Sequence, residues 1–191
     1  RVLLKEVSQD PERTLIVVDP RRTESAELAD IHLAVKPGRD AWALSAMIAH
    51  VIQQSLIPTN RLNVNLTGLD RVIERFSAID VEGYATFAGL NPADVRAAAE
   101  AIAKAKTSAY YEDLGVQMAP HSTLLSYLNL LMMTITGHFG RPDTLAPLKS
   151  LIGQFFALHD VAEANDAGYE PQGRLSPVVG ARIVGGLVPC N

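Results

Sequence analysis

The chain has 191 residues, 48% of them hydrophobic, enough to bury a core in one sizeable domain or in one domain plus part of another, which excludes a disordered protein. A formal charge of −4, from 17 basic and 21 acidic residues with no long basic run, excludes a protein held mainly by nucleic-acid phosphates or anionic lipid. Cys190 is the single cysteine, so these residues hold no intrachain disulfide and no cysteine-bound zinc or iron–sulfur centre.

Residues 1–8 read as the tail of a helix, and Asp10-Pro11-Glu12 as a turn. The apolar run Leu15-Ile16-Val17-Val18 then ends abruptly in Asp19-Pro20-Arg21-Arg22-Thr23. Valine and isoleucine fill both faces of a buried parallel strand, and Pro20 cannot extend a ladder. Asp19 is thereby left at the carboxyl edge, where open α/β sheets bind ligands. A surface turn uses the same residue types to reverse and stay solvated, and that alternative stands beside the first. Thr23 is placed to cap a short helix over Glu24–Leu28.

Alternation from Ala29 to Val35 predicts a second strand, half-exposed, around Ile31–Val35. Pro37-Gly38-Arg39-Asp40 turns the chain into a helix, with Asp40 at the N-cap. Leu44, Met47, Ile48, Val51 and Ile52 form one apolar face of that helix, over 41–55. Short helices are expected over Asn60–Val64 and Asp70–Phe76. Asn91 as N-cap, Pro92 at the first helical position and Asp94 in the first turn open an alanine-rich helix to Lys106. Ser108–Val116 reads as a third strand. A helix over Ser122–Thr136 follows, ended by Gly137 with Pro142 soon after. Its apolar stretch, Leu124–Ile135, contains Ser126 and Asn129 and is too short to span a bilayer, so no direct membrane insertion is expected.

Strands alternating with helices define the fold class as α/β, with a mostly parallel sheet covered by helices on both faces. Past Pro147 the periodicity fades, which places a boundary near residue 146, with 1–146 as one domain and 147–191 as the start of a neighbouring one. Arg1 and Asn191 read as interior positions of a longer protein, so the lack of a signal peptide carries no information.

The five histidines are dispersed, and none pairs at the i, i+4 spacing of a helical metal site. Asp19 and Asp40 are the carboxylates in position to address one nucleotide. An acid at a strand's carboxyl end suits ribose hydroxyls, and one at a turn can accept two parallel hydrogen bonds from guanine N1 and N2, which adenine cannot supply. An N-cap role alone also accounts for Asp40. Arg21, Arg22, Lys36 and Arg39 are close enough in sequence to serve a phosphate. No nucleophile pairs with a base, and the Gly-x-Gly-x-x-Gly fingerprint of an ordinary NAD domain is missing.

Val17-Val18-Asp19-Pro20-Arg21-Arg22-Thr23-Glu24, Glu27-Leu28-Ala29-Asp30-Ile31-His32-Leu33 and Pro37-Gly38-Arg39-Asp40, spaced as they stand, resemble the molybdopterin-dependent oxidoreductases of the dimethyl sulfoxide reductase family. Formate dehydrogenases and periplasmic nitrate reductases belong to it. The resemblance continues through Asn91-Pro92-Ala93-Asp94-Val95-Arg96, Leu114-Gly115-Val116 and Thr136-Gly137-His138-Phe139-Gly140-Arg141-Pro142.

The resemblance implies a Rossmann-like domain, incomplete at its N-terminal side, that holds the guanosine end of molybdopterin guanine dinucleotide with its molybdenum. Asp19, Pro20, Arg21, Arg22 and Thr23 would line the ribose and guanine. Gly38, Arg39 and Asp40 would close over the base, and Leu114, Gly115 and Met118 would add contacts from a later loop. The iron–sulfur cysteines and the molybdenum ligand would lie before Arg1, so this piece alone is not catalytic. Its partners would be the remaining domains of the same chain and an electron-transfer subunit, with no nucleic acid. A bacterial cytoplasmic location is expected, with the periplasm left open. Met118 stands where the family has a glutamine or histidine, Glu112 and Asp113 where it has uncharged residues, and Leu148–Phe156 match its polar stretch poorly. These departures motivate the alternative of a structural Rossmann-like module of a related respiratory complex subunit that has lost the cofactor.

Overall fold

A computed structural model describes residues 2–62, 66–112 and 114–139. Helix α1 (Val2–Ser8) leads through the Asp10 turn to strand β1 (Ile16–Val18). Helix α2 (Glu24–Glu27) follows, with Thr23 Oγ1 accepting the Ala26 N–H as the expected cap, and then strand β2 (Ile31–Leu33). The strands pair in parallel, Ile16 opposite Ile31, Val17 opposite His32 and Val18 opposite Leu33. The Asp30 carboxylate also accepts the Leu15 N–H at 2.7 Å, which fixes where the pairing starts.

Next come α3 (Asp40–Gln53), α4 (Leu69–Ser77), α5 (Val81–Ala88), α6 (Pro92–Lys104), α7 (Leu114–Gln117) and α8 (Ser122–Ile135). The described residues fall into two units, one running to Ser108 and including Val116–Phe139, the other containing Ala109–Gly115.

The core of the larger unit is built around α3. Ala46, Ile48, Ala49 and Val51 are fully buried, and the helix packs against α4, α5, α6 and α8. Alanines on both sides of these contacts, Ala43, Ala46 and Ala49 on α3 with Ala85 and Ala88 on α5 and Ala98 and Ala99 on α6, let the backbones approach closely. Branched residues such as Ile48, Val51 and Val95 fill what remains, each contributing about 1.5–3 kcal/mol by leaving water. This core fixes the start of α3, and α6 touches β2, so sheet and helices are joined at the point where the chain leaves β2.

The ends of α6 are secured by residues distant in sequence. Asn91 Oδ1 accepts the Ala93 N–H at 3.0 Å and Pro92 occupies the first position, as expected. At the other end, Arg61 Nη1 donates to the Ala105 carbonyl at 2.7 Å and His138 Nε2 to the Ile102 carbonyl at 2.9 Å, satisfying acceptors that a helix end leaves open. Gly137, at φ +71°, passes so close to Arg61 that a Cβ there would lie 2.8 Å from Arg61 Cβ.

Several expectations are corrected. β1 is not buried on both faces: Val18 is 46% exposed, because β2 is the only strand beside β1 among the described residues. Ser108–Val116 is not a strand. Residues 108–112 are irregular and Leu114 opens α7, in keeping with the poor strand propensity of acids and of Gly115. Pro58–Leu62 makes a single turn rather than the start of a helix, the Pro58 carbonyl accepting from Arg61 and Leu62. Among the described residues the sheet therefore has two strands and the architecture is helix-rich. Pro142, Leu148–Phe156, Cys190 and the boundary near residue 146 lie outside the described residues.

Candidate functional site at the carboxyl edge of the sheet

Because β1 and β2 are parallel, their carboxyl ends lie on one edge, and the Asp19–Thr23 and Lys36–Asp40 segments both leave from it. Asp19 sits in a tight turn. Its N–H donates to the Leu33 carbonyl at 3.2 Å and its Oδ1 accepts the Arg21 N–H at 2.7 Å. Among the described residues this leaves Oδ2 as an open acceptor on a half-buried residue. Pro20, Arg21 and Arg22 are exposed, and neither guanidinium has a partner among the described residues, so both are available to an anion. Thr23 is half-buried, with its hydroxyl occupied as the α2 cap.

Gly38 adopts φ +76°, which a turn into α3 requires of it. Arg39 is anchored rather than free: Nη1 donates to the Phe87 carbonyl at 2.5 Å, and the guanidinium lies 4.2 Å from the Phe87 ring centroid. Trp42 flanks the same ring at 5.1 Å. A cation–π contact of this kind holds a planar fork in one orientation.

Asp40 is the first residue of α3 and not its N-cap. Arg39 takes the cap position at φ −114°, with no side-chain capping bond. The Asp40 carboxyl is half-buried. Burial pushes its pKa above the ordinary aspartate value, opposed by a hydrogen bond to its own backbone.

Of the later segment, Pro120 reaches this edge, its ring carbons lying 3.8 Å from where a Gly38 Cβ would stand. Met118, two residues before it, is 79% exposed. Leu114 and Gly115 belong to the smaller unit and are exposed there. Glu112 is buried in that unit, and Asp113 lies outside the described residues.

Two side chains escaped the sequence reading. His32 Nε2 donates to the Asp19 carbonyl at 2.9 Å, a contact foreshadowed only by its place in the alternating strand. The Gln117 amide nitrogen is buried with no hydrogen-bond partner among the described residues.

Chemically, this edge offers an open carboxylate oxygen, a second carboxyl whose charge is costly to hold, two unpaired guanidiniums, and a positive-φ turn at the start of α3. That set suits a ligand with hydroxyl and amine donors at one end and an anion at the other. Among the described residues no three His, Cys, Asp or Glu side chains cluster to hold a metal ion.

No family model matches the chain. It is 28% identical over 127 residues to the assimilatory nitrate reductase catalytic subunit of Bacillus subtilis, covering 66% of this chain and 18% of that protein. To formate dehydrogenase H of Escherichia coli it is 30% identical over 133 residues, covering 67% and 18%. Among solved structures, acetylene hydratase from Pelobacter acetylenicus superposes with a TM-score of 0.64 at 27% identity, covering 68% of this chain and 18% of that one.

The homologues are molybdopterin enzymes of the dimethyl sulfoxide reductase family. The chain is similar to a segment of these enzymes and spans 18% of the length of the relatives above. Those enzymes use a molybdopterin cofactor. No helix among the described residues is long and apolar enough to cross a membrane.

Proposed function

We propose that this chain is part of the Rossmann-like domain that holds the guanosine end of molybdopterin guanine dinucleotide in a molybdenum oxidoreductase. The observation that carries the reading is the arrival of Asp19, with its open Oδ2, and of Gly38–Asp40 at one edge of a parallel strand pair. Nucleotides bind at such edges in α/β sheets. Asp19 accepts from the ribose, Asp40 from guanine N1 and N2, and Arg21 and Arg22 face the pyrophosphate. Gly38 keeps the turn low enough for the base to approach, and Arg39, fixed on Phe87, shapes its wall. Pro20, Thr23 and Met118 add shape to the site rather than polar contacts.

The cofactor supplies two-electron chemistry at molybdenum, while these residues bind and orient it. The intact protein carries further domains with an iron–sulfur cluster and passes electrons to a separate subunit; the Bacillus subtilis relative is itself named a catalytic subunit. Anaerobic purification of the intact protein, followed by metal analysis and acid hydrolysis, tests the proposal. Molybdenum together with released GMP is expected. A folded protein with neither supports the cofactor-free structural module instead.

A further inference from the structure

We infer that His32 is the positioning residue for the Asp19 acceptor, an inference that rests on the nucleotide reading above. In a longer parallel ladder the Asp19 carbonyl would take its hydrogen bond from the backbone of the neighbouring strand. Here β2 breaks off after Leu33, and the next donor along it, the Val35 N–H, is turned back onto the Leu33 carbonyl at 2.9 Å. The His32 side chain takes its place, Nε2–H donating to the Asp19 carbonyl at 2.9 Å from a half-buried ring. A carbonyl can only accept, so the proton resides on Nε2.

With that bond the Asp19 N–H, its carbonyl and its Oδ1 are all engaged, by Leu33, His32 and Arg21 respectively. Oδ2 is then the one polar atom of Asp19 without a partner among the described residues, on a residue held at its other polar groups, as a preorganised acceptor requires. Without His32 the Asp19 carbonyl relies on water, the last residues of β1 fray, and the turn that sets Oδ2, Arg21 and Arg22 loosens with them. His32 acts through Asp19 and makes no contact with the ligand itself.

The experiment compares the intact protein with His32→Leu, His32→Gln and Asp19→Asn. Three readouts are followed: GMP recovered after timed incubation, hydrogen exchange at the Arg21 amide, and the melting midpoint. Glutamine places an amide nitrogen near the position of Nε2, so it keeps the donor, whereas leucine removes it. His32→Leu is expected to lose bound nucleotide about fivefold faster, the factor expected of one ordinary hydrogen bond. Arg21 exchange should speed up in parallel. His32→Gln should restore both, at a melting midpoint matching that of His32→Leu. Retention of nucleotide by His32→Leu at the parental rate, or failure of glutamine to restore it, overturns the positioning role. If Asp19→Asn loses nucleotide while His32→Leu does not, the positioning role falls and the nucleotide site stands. An unaltered protein that yields no GMP overturns both.

Discussion

A Cβ on Gly38 would stand 3.8 Å from the ring carbons of Pro120, so the turn that opens α3 and the loop that precedes α8 are neighbours at the sheet's carboxyl edge. At 3.8 Å the space admits a methyl group, and the obstacle to one is the backbone, at φ +76°. Gly137 combines both penalties, with φ +71° and a Cβ position 2.8 Å from Arg61 Cβ and 3.3 Å from the Arg61 carbonyl oxygen. Gly38→Ala should therefore cost about 1–2 kcal/mol, the price of a left-handed alanine, and Gly137→Ala clearly more. Urea unfolding of the intact protein checks the order. Equal costs would show that Arg61 yields freely.

The two ends of α6 give a second expectation. Asn91→Ala removes the cap on the Ala93 N–H and should cost about 1 kcal/mol. Arg61→Leu removes a charged donor from the Ala105 carbonyl and should cost about 1.5–3 kcal/mol. Hydrogen exchange should rise in the first turn of α6 for one variant and in the last turn for the other. Faster exchange along the whole helix in either variant would argue against locally acting caps.

Asp40 makes stability depend on pH in an uncommon direction for a carboxyl. Its pKa is raised in the folded state, chiefly by burial, so between the ordinary value and the raised one the folded protein binds more protons than the unfolded chain. Its contribution to stability therefore falls as pH rises through that window and is fully unfavourable above it. Asp40→Asn should be at least as stable as the parent near neutral pH, and the difference should vanish in acid below the ordinary aspartate pKa. The same substitution should weaken discrimination of guanine from adenine nucleotides. Loss of stability at neutral pH without loss of guanine preference would assign Asp40 to the helix rather than to a ligand.

The arginines should separate by role. Arg39→Lys loses the stacked planar fork on Phe87 and should destabilise the protein with a modest effect on salt dependence. Arg21→Ala and Arg22→Ala touch no partner among the described residues, so stability should hold while nucleotide retention becomes weaker and less sensitive to ionic strength. Thermal melts and GMP retention across a salt series distinguish the two outcomes.

What could be read from the sequence was local in origin. Thr23, Asn91-Pro92 and Gly137 announce helix ends through chemistry that acts over a few residues, and all are found in those roles. Asp19 and the Pro37–Asp40 turn stood out because each ends an apolar run, and the structure places both at one edge. α5 left little trace. It is short, contains Gly83 and Thr86, and is held by Ala85 and Ala88 against α3, a packing that no periodicity in so brief a segment reveals. Ser108–Val116, expected as a strand, is irregular over 108–112 and helical from Leu114, because strand formation depends on a neighbouring strand that a local sequence does not record. His32 on Asp19, Arg39 on Phe87 and the buried Gln117 amide depend on the folded chain bringing distant residues together, and spacing along the sequence carries no record of that.

The most direct test is an experimental structure of the intact protein purified without oxygen. The account predicts a guanosine at the carboxyl edge of β1 and β2, its ribose on Asp19 Oδ2 and its N1 and N2 on the Asp40 carboxylate. A guanosine bound elsewhere in the protein, or polypeptide packed over that edge in place of a ligand, would contradict it.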